Sequence, residues 1–135
     1  MPTLTDHAHT VQSWYEAGKR AALAVLVRSS GATPLPLGET MVVSSAMDMQ
    51  GAVSRGCVES AVLEAATSVI AEDHALLCHF GYSDESAWQV GLTCGGEIDV
   101  LVSPLPPTSS GNRFLRTLLD LSQRSQPFFL LYILD

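Results

Sequence analysis

The chain has few positive charges. Its 135 residues include 7 lysine and arginine residues against 14 aspartate and glutamate residues, which gives a formal net charge of -7. A general nucleic-acid-binding protein gains its affinity from a basic face that meets phosphates, so this composition argues against that class. An anionic ligand would be held locally instead, by backbone N–H groups and by Arg28 and Arg55, the cations nearest to the glycine-rich segments.

The sequence also lacks a long apolar run and a leader segment. Hydrophobic residues make up 47% of the chain, but glycine, proline and charged residues interrupt the apolar stretches, so no membrane span is predicted. No basic segment leads into an apolar one at the N-terminus, which argues against a secretory signal. We therefore expect one globular domain, located in the cytoplasm, without a membrane partner.

Cysteine is scarce too. Three cysteines without regular short spacing argue against a disulfide framework and fit a reducing compartment, where thiols stay free. His74, Cys78 and His79 are close in sequence, but strand alternation predicts that Cys78 and His79 lie on opposite faces. With no Cys-x-x-Cys pair to support it, a zinc site is not favoured. The thiols therefore remain available for other chemistry.

Apolar periodicity predicts an α/β fold, a single domain with a mixed β-sheet flanked by helices. Apolar positions that recur every three or four residues predict a long helix from Cys57 to about Ala71. The uninterrupted apolar run from Ala21 to Val27 predicts a strand that is covered on both faces. The other predicted helices span residues 8–19, 83–91 and 114–121, and the other predicted strands span residues 41–44, 51–53, 76–82, 98–103 and 128–134.

Two of the cysteines lie in glycine-rich segments. Cys94 stands among four glycines in "GLTCGG", where bare backbone permits close approach by a ligand. Cys57, in "SRGCVE", is predicted in the first turn of a helix, where unpaired N–H groups and the helix dipole favour thiolate over thiol. Glu59 is placed to satisfy donors at the same helix start. If the adjoining strands are neighbours, both sulfur atoms face one cleft; the other interpretation, two small residues in tight turns, stays open.

Three motifs are similar to the N-terminal domain of the XdhC/CoxI family, the accessory proteins of xanthine dehydrogenase and carbon monoxide dehydrogenase maturation. They are "SSGATPLPLGETMVV", "GAVSRGCVE" and "YSDESAWQVGLTCGGEIDVLVSPL", and they follow the order and spacing of the family from about Ala21 to Leu105. The resemblance implies a chaperone and not an enzyme. Such a chaperone binds a molybdopterin-type molybdenum cofactor transiently while a cysteine desulfurase helps to sulfurate it. It then delivers the cofactor to the apo-enzyme of a molybdenum hydroxylase of the xanthine dehydrogenase type.

The resemblance also implies which residues bind the cofactor. Cys57 and Cys94 would be the sulfur residues in contact with molybdenum, because thiolate is a soft partner for molybdenum and for dithiolene sulfur. The remaining residues would form a cradle whose N–H groups suit the phosphate of the pterin. These cradle residues are Gly31, Gly38, Arg55, Gly56, Gly91, Gly95 and Gly96.

Members of the family usually continue through a proline-rich linker, a helix and a strand into a Rossmann-like domain. Residues 1–105 resemble the N-terminal domain, and residues 106–135 resemble the linker, helix and strand, a remnant of the connection to a missing second domain. No G-x-G-x-x-G dinucleotide fingerprint occurs in the sequence. An apolar strand at residues 128–134 needs another strand or subunit to cover it, so we expect a homodimer.

Two other function classes stay open. One is a thiol-dependent sulfur-transfer or redox enzyme that uses Cys57 as its nucleophile. The other is a degenerate scaffold that contacts a dehydrogenase partner without binding cofactor. Departures from the family pattern favour this second class: Leu35 and Thr40 stand where members commonly carry basic residues, and Arg55 stands where they usually have glycine.

Overall fold

Two helices and five strands make up most of the chain that the structure, a computed structural model, describes: residues 4–30, 36–54, 56, 58–81, 96–105, 117 and 120. The elements are α1 (Leu4–Glu16), β1 (Ala21–Ser30), β2 (Thr40–Ser44), β3 (Met49–Gly51), α2 (Glu59–Glu72), β4 (Leu76–Phe80) and β5 (Glu97–Pro104). Each overlaps a predicted element, although β3 begins two residues before the strand predicted at 51–53. The predicted elements at 83–91 and 128–134 lie outside the described residues, and of the predicted helix at 114–121 only Thr117 and Asp120 are described, both as helical.

The strands form one sheet in the order β3-β2-β1-β5-β4. The α/β class and the single small domain are confirmed. The sheet differs in one respect from the expected mixed one, because all four pairings between described strands are antiparallel. Strands β1 to β3 follow one another through short connections, and short connections join antiparallel strands. No helix in the described ranges is long and apolar enough to cross a membrane.

Strand β1 joins two buried cores, one on each face of the sheet. Ala22, Ala24 and Leu26 lie in the larger cluster, which α2 covers. The residues of β1 between them face α1 in a second cluster. The members of this second cluster from β1 and α1 are Ala21, Leu23, Val25, Ala8, Val11, Trp14 and Tyr15. The predicted cover on both faces is therefore confirmed, and it explains why residues 21–27 of this strand are all apolar although its neighbours are antiparallel.

Three loop segments leave the sheet at one end. Neighbouring strands alternate in direction, so β1, β3 and β4 run toward this end while β2 and β5 run away from it. The register pairs Ser30 with Glu97 and Met41 with Gly51. The segments 31–39 and 81–96 therefore begin and end at this end of the sheet, and segment 52–58 begins there. Each of the three contains at least one of the predicted cradle glycines.

Candidate functional site

The predicted site residues divide into described and undescribed ones. Gly38, Gly56 and Gly96 are described, and each belongs to a different one of the three segments at the same end of the sheet. The other predicted site residues lie outside the described residues, and their roles stay predictions: Gly31, Arg55, Cys57, Gly91, Cys94 and Gly95.

The segment that contains Cys94 begins and ends side by side. Gly81, which follows β4, has a φ of +141°. A Cβ added there would lie 2.9 Å from the carbonyl oxygen of Gly96 and 2.8 Å from Cγ of Glu97. Only glycine combines this backbone conformation with so close an approach. Gly96 itself is buried at this junction.

The two cysteine segments do not adjoin neighbouring strands. The segment of Cys57 follows β3 at one edge of the sheet, whereas the segment of Cys94 precedes β5, three strand positions away, or about 14 Å. A shared cleft was expected only if the two adjoining strands were neighbours, and in the strand order they are not. The chain after β3 instead crosses toward the middle of the sheet, because Val53 and Val58 are buried in the same cluster as Ile98 of β5.

The loop between β3 and α2 is wrapped around the carboxylate of Glu59. Its oxygens accept the backbone N–H groups of Val53 at 3.1 Å, Ser54 at 2.7 Å and Gly56 at 2.8 Å. They also accept the hydroxyl of Ser54 at 2.6 and 2.8 Å, and the oxygen of that hydroxyl accepts the N–H of Val58 at 3.2 Å. Glu59 is only 9% exposed, so this network fixes the loop within a buried setting.

The same donors set the ionisation of Glu59. Burial acts to raise the pKa of this carboxyl group, but the hydrogen bonds from Ser54, Val53 and Gly56 outweigh burial and hold the pKa below its usual value. Glu59 is therefore a carboxylate at neutral pH, and it carries its negative charge inside the loop.

Helix α2 begins later than the sequence predicts. Its first residue is Glu59 and its N-cap is Val58, with no hydrogen bond from a side chain to cap it. The helix therefore begins two residues after Cys57, which corrects the predicted start, and Cys57 itself lies outside the described residues. The reason is that Glu59 turns its carboxylate back toward the N–H groups before the helix and holds that stretch in a loop. Glu59 does accept hydrogen bonds from nearby N–H groups, as predicted, although these N–H groups precede the helix.

Two of the predicted cradle glycines present bare backbone. Gly38 and Gly56 have φ values of +91° and +88°, and nothing lies within 4 Å of the place where a Cβ would be. This open backbone fits the close approach of a ligand. Their N–H groups, however, are engaged inside the protein: Gly38 donates to the carbonyl of Leu26 at 2.8 Å, and Gly56 donates to Glu59 at 2.8 Å. These two N–H groups are not free to bind phosphate.

Arg28, one of the two cations near the glycine-rich segments, is already paired. Its Nε donates to Asp99 at 2.7 Å, and its terminal nitrogen lies 3.9 Å from the carboxylate of Glu97. Nδ1 of His79 lies 2.6 Å from Asp99 and 3.2 Å from Arg28. The hydrogen bond from Arg28 lowers the pKa of Asp99 more than burial raises it, and His79 adds to the lowering. Arg28 is thus a member of a charged cluster across β1, β5 and β4 and not an unpaired partner for phosphate.

The third cysteine has a structural role. Cys78 is half-buried and packs against the cluster that α2 covers, and burial raises the pKa of its thiol. His79 lies on the other face, where it contacts Asp99. The predicted placement of Cys78 and His79 on opposite faces is confirmed. In the part of the chain that the structure describes, no group of three or more His, Cys, Asp or Glu side chains is arranged to hold a metal ion.

Sequence reasoning missed two residues near this end of the sheet. Ser54 links Glu59 to the start of α2, and its place five residues before a glutamate at a helix start was the available signal. His7 of α1 is 2% exposed and lies between the side chain of Gln50, at 2.9 Å, and the carbonyl of Thr40, at 3.3 Å. No local pattern indicates that contact. Thr40 is itself buried, so this position serves the core and does not face a phosphate.

These observations define a small α/β domain with a helix on each face of an antiparallel sheet and glycine-rich segments gathered at one end. The profile described as the XdhC and CoxI family matches residues 14–81, about half of the chain. The chain belongs to the XdhC and CoxI family, as its motifs predict.

Two similar proteins add to this assignment. The "Molybdenum cofactor insertion chaperone PaoD" of Escherichia coli (strain K12) is 34% identical over 123 residues, which cover 88% of this chain and 37% of that protein. A crystal structure described as a xanthine dehydrogenase from Bacillus halodurans matches with a TM-score of 0.67 and 21% identity, covering 84% of this chain and 34% of that chain. The structural likeness, at this identity, shows the fold alone. The chain spans about a third of the length of both proteins.

Proposed function

We propose that this chain is a molybdenum cofactor-binding accessory domain. It assists sulfuration of the cofactor and its insertion into the apo-enzyme of a molybdenum hydroxylase of the xanthine dehydrogenase type. The observation that carries the proposal is the convergence of three glycine-rich segments at one end of the sheet. Family membership supports it, and so does the name of the Escherichia coli relative, which is that of a chaperone and not of a catalyst.

Each group of residues has its own part in this proposal. Cys57 and Cys94 provide thiolates, which are soft ligands for molybdenum. Gly38 and Gly56 let the ligand lie against open backbone. When bound, the cofactor supplies a molybdenum centre and its dithiolene sulfur, and the chain holds and shields that group. The rest of the proposed cradle consists of Gly31, Arg55, Gly91, Gly95 and Gly96.

The proposed partners follow from the same role. A cysteine desulfurase would supply the sulfur, and the apo-enzyme would receive the cofactor, both in the cytoplasm. The relative named as an insertion chaperone supports a molybdoenzyme partner, because insertion requires a recipient.

Replacing Cys57 or Cys94 by serine is expected to lower cofactor retention about tenfold, because serine keeps the size of the side chain but removes the soft sulfur ligand. The measurement is the molybdenum and pterin content per chain after anaerobic loading and gel filtration. Cys78→Ala is the matched control, since Cys78 packs against the core, and it is expected to retain as much cofactor as the unchanged chain. Equal retention in both serine variants would refute the assigned role.

The same preparations separate the other function classes. A thiol-dependent enzyme would show fast alkylation of Cys57 near neutral pH and turnover of a persulfide donor. The described residues add no support for that class, because α2 begins at Glu59 and the N–H groups of Ser54 and Gly56 bind a carboxylate. A scaffold would pull down a molybdoenzyme while the unchanged chain retained no cofactor.

We also propose that the chain is a homodimer that associates through residues 114–121 and 128–134. Light scattering on the full chain at micromolar concentration is expected to give twice the mass of one chain, because the apolar segment 128–134, predicted to be a strand, would gain by pairing with a second copy. A single-chain mass across that concentration range would count against the dimer.

A further inference from the structure

The loop between β3 and α2 has the layout of an anion site, yet the anion in it belongs to the chain. Backbone N–H groups that converge ahead of a helix usually bind phosphate or another anion. Here the N–H groups of Val53, Ser54 and Gly56 converge on the carboxylate of Glu59 at 2.7 to 3.1 Å. The position that an external phosphate would take is thus filled by a side chain that is only 9% exposed.

Four of the five described backbone N–H groups of this loop are already engaged inside the chain. Its described residues are 52, 53, 54, 56 and 58, and besides the three N–H groups that bind Glu59, that of Val58 donates to the hydroxyl oxygen of Ser54 at 3.2 Å. That hydroxyl donates in turn to Glu59. A second anion brought to this loop would meet a like charge, and the three N–H groups that bind Glu59 would not be available to offset the repulsion.

We infer that Glu59 is a specificity-determining residue that excludes phosphate from the loop of Cys57 and leaves sulfur as the group through which this loop meets the cofactor. The identity of the cofactor rests on the proposed function, whereas the exclusion of phosphate does not. If a molybdopterin-type ligand binds, its phosphate is held away from the N–H groups of Val53, Ser54 and Gly56. The ligand is then oriented with its soft centre toward the loop of Cys57 and its phosphate away from it.

The test is a titration of the full chain with inorganic phosphate at neutral pH and constant ionic strength, followed by amide NMR. In the unchanged chain the amide signals of Val53, Ser54 and Gly56 are expected to show no response. In Glu59→Ala the same signals are expected to gain a saturable shift, because three donors are released and the negative charge is removed. Glu64→Ala removes an exposed carboxylate from the same helix and is expected to gain no response.

A saturable phosphate shift of these three amides in the unchanged chain overturns the inference, and this result needs no variant. A folded Glu59→Ala chain that shows no response overturns it as well. If the alanine variant does not fold, Glu59→Ser, which also removes the carboxylate and vacates its position, replaces it and is judged in the same way. Cofactor loading is read separately, so a chain that retains no molybdenum refutes the proposed function and leaves the phosphate result standing.

Discussion

Replacing Gly51 by alanine is expected to lower the free energy of unfolding by about 3 kcal/mol. Gly51 ends β3 with a φ of +89°, and a Cβ there would lie 2.5 Å from the carbonyl oxygen of Thr40 and 2.8 Å from Cε1 of His7. The first contact is backbone of the paired strand β2, and the second is a buried ring that already bonds on both sides. Neither gives way without opening the β2–β3 pairing or displacing α1. Urea denaturation of both chains measures the loss.

Gly18→Ala is the matched control for this prediction. Gly18 has a φ of +79°, but nothing lies within 4 Å of the place of its Cβ. Gly18→Ala is therefore expected to lower the free energy of unfolding only by the cost of holding alanine in a left-handed backbone conformation, about 1 kcal/mol. Equal losses in the two variants would show that the contacts around Gly51 contribute nothing and would contradict the argument.

Hydrophobic patterning predicted the described helices and strands because each apolar pattern indicates which residues of an element are buried, and these residues are buried in the fold. Helix α2 is the clearest case, since its apolar positions include Val62, Ala66 and Val69, and all three are fully buried. Strand β1 is a second case, because its continuous apolar run matches a helix on each face. The spacing of apolar residues follows which side chains are hidden from solvent. It therefore predicts an element correctly wherever that element buries a definite face.

The order of the strands could not be predicted in the same way. Strand β1 pairs with β5, which is far along the chain, and the register shifts between Leu26 and Arg28. That irregularity and the register bring Arg28 opposite Asp99, which pairs the arginine with a carboxylate. No local pattern contains this contact, because it depends on which distant strand lies alongside. For this reason the sequence did not reveal that Arg28, the predicted nearby cation, is already paired within the chain.

At the candidate site, the glycines correctly predicted bare backbone. The sequence did not show, however, which group accepts the hydrogen bonds from the backbone N–H groups. Gly38, Gly56 and Gly81 all have positive φ, which is the conformation that glycine permits. Capping rules assign a glutamate near a helix start to donors in its own neighbourhood. They do not reveal that one carboxylate accepts hydrogen bonds from the N–H groups of Val53, Ser54 and Gly56, so that the helix begins later in the sequence. That outcome depends on the path of the loop after β3.

Replacing Glu59 by alanine is expected to lower the free energy of unfolding by about 3 kcal/mol at neutral pH. The buried N–H groups of Val53 and Ser54, the hydroxyl of Ser54 and the N–H of Gly56 would all lose their acceptor at once. An unsatisfied buried donor costs more than the hydrogen bond itself contributes, because the donor has lost its hydration on folding without gaining a protein acceptor. Urea denaturation at neutral pH measures the loss.

The loss is expected to depend on pH with a definite sign. Because the pKa of Glu59 is lowered in the folded chain, its carboxylate contributes stability above the unfolded value, about 4.3. This contribution is lost as the pH falls through the folded-state pKa, so the gap between the two chains is widest near neutral pH and narrows as the pH falls below the unfolded value. Glu64→Ala, an exposed carboxylate on the same helix, is expected to stay within about 0.5 kcal/mol of the unchanged chain at neutral pH. A gap of constant size across this range would mean that hydrogen bonds to the charged form contribute nothing, and it would leave Glu59 as a packing residue only.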